Sequence, residues 1–241
     1  MFKRKHTYTL LFLLLALISF NSCAPYLKHY TAAQDYFNEA ATLDNELKLK
    51  VSDENFDLLS PESQVQIKYL TALNAIEKVL RGNANTLRQD GLLASAYTIK
   101  ALSEWKTKRY DASIATAREG LTAIKQASDV GQKATPRDEA VLRAIPGLIR
   151  ADQAAALVEA SADQRNYENI ASTIQSGLSD IDAAIEQAPK GNPVRKYLYT
   201  VKLAMLETWL VASADLKGDA GREASQKIMK MQKEVREMVK E

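Results

Sequence analysis

Apolar residues recur through most of this chain every three or four positions, which is the period of a helix and not of a strand. Two such patterns between Leu92 and Ile124 are joined by Thr107, Lys108 and Arg109 alone: Leu92, Ala96 and Ile99 share one face, and Tyr110, Ile114, Ala117, Leu121 and Ile124 repeat at spacings of 4, 3, 4 and 3. A connection that short forces two antiparallel helices to bury their stripes against each other. One hairpin cannot cover both of its faces, so the neighbouring chain is expected to supply further hairpins stacked on it.

The flanking patterns agree. Tyr26, Tyr30, Ala33, Phe37, Ala40 and Leu47 predict an amphipathic helix over about 27–48. Ser60, Pro61 and Glu62 then form a helix start, with a cap, a proline at the first helical position and an acid at the positive end of the dipole. Val65, Tyr69, Ala72, Ile76 and Val79 continue that helix to Gly82 and Asn83, which end it. Thr135, Pro136 and Asp138 open another helix that carries Val141, Ile145, Leu148, Ala155 and Val158, with Pro146 inside it; a kink or short break is expected near Ile145 to Gly147, with helix resuming to about Ala160. Ile170, Ile174, Ile181 and Ile185 mark a helix over about 163–187 that Pro189 closes. Asn192 and Pro193 start the next, with Val194, Leu198, Val201, Met205 and Trp209 on one face, and Ile228, Met231, Val235 and Met238 stripe the last. The expectation is all-α, about eight helices in four hairpins and no sheet.

Tyr97, Ala101, Tyr110, Ser113, Ile114, Ala117, Gly120 and Leu121 follow the aromatic, small and aliphatic order of the tetratricopeptide repeat, which the central hairpin resembles. Gly177, Ala184 and Pro189 repeat the small, small and proline positions of that pattern. The resemblance implies an α-solenoid, irregular here because helix starts are unevenly spaced and several helices outrun a repeat of about 34 residues.

The first residues read as an address. Lys3, Arg4, Lys5 and His6 precede an apolar run from Leu10 to Phe20, eleven residues long. A bilayer needs about twenty, so the run reads as a secretory signal. Asn21, Ser22 and Cys23 follow, and the segment resembles a bacterial lipoprotein signal, with a plain signal peptide as the alternative reading. Cys23 is the single cysteine, with no disulfide partner. The resemblance implies removal of residues 1–22, acylation of Cys23 and one helical-repeat domain over 23–241. It also implies attachment at the periplasmic face of the outer membrane, because Ala24 stands where an Asp would mark inner-membrane retention.

Charge and chemistry then narrow the function. Three of the 32 Lys and Arg fall within residues 1–22 and none of the 30 Asp and Glu, so residues 23–241 carry 29 against 30. That balance argues against nucleic acid, which calls for a clustered basic surface. His29 is the one histidine after Cys23 and stands six residues from it, so no Ser-His-Asp triad, Cys-His pair or zinc cluster can be assembled away from the membrane surface. There is no Gly-rich phosphate loop. Glu62-Ser63 opens like the acid motif of lytic transglycosylases, but that family's Gly-Leu-Met-Gln segment is absent and the pair is read as a cap. No cofactor, metal or catalytic residue is assigned.

The leading expectation is a lipid-anchored scaffold that binds another envelope protein or peptide in a concave groove. A small-molecule-binding lipoprotein working beside a periplasmic transporter is the alternative, and an envelope hydrolase using carboxylates ranks third. Trp105 is the candidate groove residue, with Thr98 and Ala101 beside it. It lies off the Leu92 stripe of its helix, so it either presents an aromatic to a partner or packs on the next hairpin. Trp209, inside its stripe, is assigned to the core.

Overall fold

In a computed structural model, residues 25–50, 61–129, 131, 135–159, 166–214, 216 and 218–240 can be described. They form eight α-helices and, among the described residues, no strand: α1 (Pro25–Lys50), α2 (Pro61–Gln89), α3 (Leu93–Lys106), α4 (Tyr110–Asp129), α5 (Pro136–Glu159), α6 (Tyr167–Gln187), α7 (Pro193–Ser213) and α8 (Gly218–Lys240). The signal segment and Cys23 lie outside the described residues. The chain divides into two compact units, Met1–Ala84 and Asn85–Glu241.

In the first unit, Ala40, Val65 and Tyr69 form a small core with Phe37, Leu43 and Leu47 packed against it. Phe37 meets Tyr69 edge to face, with ring centroids 5.4 Å apart. Lys68 donates to Glu39 at 2.6 Å on the surface. These are the stripes read from the periodicity. The end expected at Gly82 and Asn83 is a kink instead: Asn83 has non-helical angles (φ −139°, ψ 20°), and helix resumes to Gln89.

The second unit holds three hairpins. Helix α3 is framed by two turns of one kind. At Gly91 (φ +71°) the N–H of Leu92 reaches the carbonyl of Leu87, and at Lys108 (φ +60°) the N–H of Arg109 reaches that of Glu104, each at 2.8 Å. This six-to-one bond with a left-handed residue is a Schellman closure, and it makes the three-residue connection possible. Within the first hairpin, the buried Ser113 hydroxyl donates to the Ala101 carbonyl at 2.7 Å.

Glycines set how closely the helices approach. A Cβ on Gly147 would lie 2.8 Å from Ile181 Cγ1 and 2.9 Å from the Gly177 carbonyl, so α5 and α6 cross almost backbone to backbone. One on Gly120 would lie 2.7 Å from Leu142 Cδ1 and 2.9 Å from Tyr97 Cβ. One on Gly177 would collide with Met205 of α7. The small residues that sequence singled out at 120 and 177 are thus the contact points of neighbouring helices.

Consecutive helices from α3 to α8 pack on each other, and in addition α3 touches α5 and α5 touches α7. A core from Ala101 and Trp105 to Ile228 and Val235 runs through this unit, with Leu142, Ile145, Ile174, Ile181 and Leu198 almost fully buried. Asparagines cap two helices as expected of their position: Asn166 accepts from the Asn169 N–H at 3.0 Å, and Asn192 from that of Val194 at 2.9 Å. Of the kink or short break expected near Pro146, the break does not occur: α5 runs through the proline as one helix. Pro146 is half-buried and lines an open groove.

Candidate docking groove

Thr98, Ala101 and Trp105 are brought together on α3, but all are buried, with Trp105 only 7% exposed. The indole N–H of Trp105 donates to Asp152 Oδ2 of α5 at 2.8 Å, and Lys106 Nζ sits 4.5 Å from the ring centroid. Thr98 donates to its own helix at Ala94. Helix α3 is buried on two faces because α4 and α5 both pack on it. In the folded chain these three side chains therefore offer little surface to a partner. Trp209 is buried as assigned, and its indole N–H donates to the Tyr167 hydroxyl at 3.1 Å.

An accessible surface lies instead between α4 and α6, over α5. A groove of about 410 Å³ has Ile114, Ala117 and Leu121 on one wall, Leu142 and Pro146 on the floor, and Asp180 and Ala183 on the other wall. Three guanidinium groups rim it: Arg118 from α4 and Arg143 and Arg150 from α5. Arg150 pairs with Asp180 across the helix boundary. Arg143 is held by Glu139 one turn away, at 2.7 Å. Arg118 is exposed and makes no ion pair among the described residues. Burial pushes the Asp180 carboxyl above its ordinary range, and the Arg150 guanidinium beside it offsets that only in part.

Arg118 also borders a second cleft of about 350 Å³ on the other flank of α4, where it faces Arg88, Tyr97 and Glu119. A third, of about 470 Å³, has Arg137 of α5 opposite Val194 and Tyr197 of α7. Tyr197 is 48% exposed there.

Sequence reasoning passed over Arg118, Arg143, Arg150 and Asp180. Each looks like an ordinary solvated charge in its own helix, and only the packing of three helices brings them to one groove. Pro146 was the one visible signal at this place, read there as a kink or short break.

A buried polar cluster lies elsewhere in the first hairpin. Lys100 Nζ donates to Glu104 Oε1 and to Thr116 Oγ1, both at 2.6 Å. Glu104 Oε2 and the Ser103 hydroxyl are buried without a hydrogen-bond partner among the described residues. No group of three or more His, Cys, Asp or Glu is placed to hold a metal among the described residues. No helix among them is long and apolar enough to cross a membrane. His29 is exposed on α1.

The described residues are thus all helical, and the second unit carries an open, arginine-rimmed groove. Compared with known proteins, the chain matches no protein-family model, no curated protein and no solved structure.

Proposed function

We propose that this protein is a lipid-anchored scaffold of the cell envelope, held by acylated Cys23 at the periplasmic face of the outer membrane and binding another envelope protein or peptide. The groove between α4 and α6 carries the reading, because it offers an apolar floor and a charged rim without the enclosed pocket a small ligand prefers. The packing of α3 on α5 and of α5 on α7, alternating with the hairpin contacts, is what a tetratricopeptide-like array requires, and we take residues 85–241 as three such units. The docking surface in this reading is the α4 to α6 groove and not the Trp105 face of α3. The basic n-region, the apolar run and the single Cys23 support the anchor. Two or three acyl chains, at roughly 0.8 kcal/mol per buried methylene, would keep the protein on the membrane.

Co-purification from detergent-solubilised envelopes tests this. The scaffold reading expects one envelope protein in stoichiometric amount. A chain that elutes alone at every salt concentration contradicts it and favours the small-molecule alternative.

A further inference from the structure

We infer that the occupant of the α4 to α6 groove is an acidic segment of a protein, bearing one or two apolar side chains between its carboxylates. This rests on the scaffold reading and gives the partner its chemistry. Three guanidinium groups rim the groove; Arg150 is engaged by Asp180 and Arg143 by Glu139 one turn away, which leaves Arg118 as the rim charge open to a partner. Arg118 is left exposed with no ion pair among the described residues, on the ridge between this groove and the cleft that holds Arg88. Guanidinium forks match carboxylates in geometry as well as charge, so this rim selects acids over bases.

The floor adds apolar contact. Ile114, Leu121 and Pro146 present apolar atoms that are only half-buried, in a space near the low end of the roughly 300–1,000 Å³ found for ligand clefts. That holds one or two side chains, not a whole helix.

The probe is a labelled nine-residue peptide of alternating Glu and Leu, followed by fluorescence anisotropy on the full chain in detergent, with a Lys and Leu peptide as control. The Glu peptide is expected to bind in a salt-sensitive manner, and the Lys peptide not to bind. Arg118→Ala combined with Arg143→Ala should weaken binding about tenfold or more. Both side chains are exposed, so the circular dichroism spectrum and melting curve of the double variant should match the parent. Equal binding of both peptides, or unchanged binding by the double variant, overturns the inference. So does arginine-dependent binding of anionic lipid vesicles without peptide binding, or a solution dimer that the double variant dissociates. A double variant that still captures the parent's stoichiometric envelope protein removes the acidic assignment and leaves the scaffold intact. A parent chain that captures nothing fails the scaffold reading itself.

Discussion

The indole N–H of Trp105 donates to the carboxylate of Asp152 at 2.8 Å, and this bond ties the end of α3 to the middle of α5. Burial of so large a ring gives it a structural job. Trp105→Ala should cost about 3–5 kcal/mol, the range for removing a buried tryptophan, and Trp209→Ala a similar amount. Denaturant melts of the two variants check this. A Trp105→Ala variant within about 0.5 kcal/mol of the parent, as for a surface change, would show that the ring is not a packing residue.

Asp152 also accepts from Tyr110, whose hydroxyl is raised above its ordinary value of 10.0 by burial first and by the charge and hydrogen bond of Asp152 after it. The neutral hydroxyl is therefore the form the fold favours. Its contribution is intact below pH 10 and is lost as pH climbs through the higher folded value. Tyr110→Phe, which cannot ionise, should lose less stability than the parent in alkaline melts above pH 10. Parallel losses in the two proteins would refute the assignment.

Glycine tests the helix crossings. Alanine normally favours a helix over glycine by about 0.8–1.0 kcal/mol. At Gly147 the new methyl group would press on the Gly177 carbonyl, a backbone atom that cannot swing away. Gly147→Ala should thus destabilise by about 1–3 kcal/mol despite the better propensity. Gly82→Ala, with nothing within 4 Å of the new atom, should be neutral or stabilising. Thermal melts that rank the pair the other way would mean that α5 and α6 do not cross at Gly147.

Lys108 closes the first hairpin at φ +60°, a conformation that costs an L-residue roughly 1–2 kcal/mol. Glycine avoids the penalty but orders at greater entropic cost, so Lys108→Gly should gain about 0.5–1 kcal/mol. Loss of stability instead would point to a contact made by the lysine side chain.

Much of this fold is legible in the sequence because helical periodicity and caps are local. The Tyr110 to Ile124 stripe, the Asn192 cap with Pro193, and the small residues at Ala101, Gly120 and Gly177 can all be read one helix at a time. Pro146 is carried inside one helix with Ala144, Ile145, Leu148 and Ile149 buried on both sides of it, a support that is not displayed locally in the sequence. Trp105 shows the same limit. Its angle on the helix places it off the main stripe, but whether a second face is open or packed depends on α5, some forty-seven residues further on. The arginine rim is the extreme case: Arg143 and Arg150 share a face of α5 at seven-residue spacing, but Arg118 of α4 and Asp180 of α6 meet them only through packing.

The proposed anchor is Cys23. If it is acylated, Cys23→Ser should leave an unprocessed precursor that no longer partitions into detergent. The same mature mass and partitioning in the variant would end the lipoprotein reading.

The most direct measurement places a photo-crosslinking amino acid at Leu121, in the wall of the groove, and illuminates intact cells. The same substitution at Val211, which is 54% exposed on α7 and does not line this groove, serves as control. The account predicts a single protein adduct from position 121 that disappears when Cys23→Ser removes the anchor, and no matching adduct from position 211. No adduct at 121, or the same adduct from both positions, would contradict it.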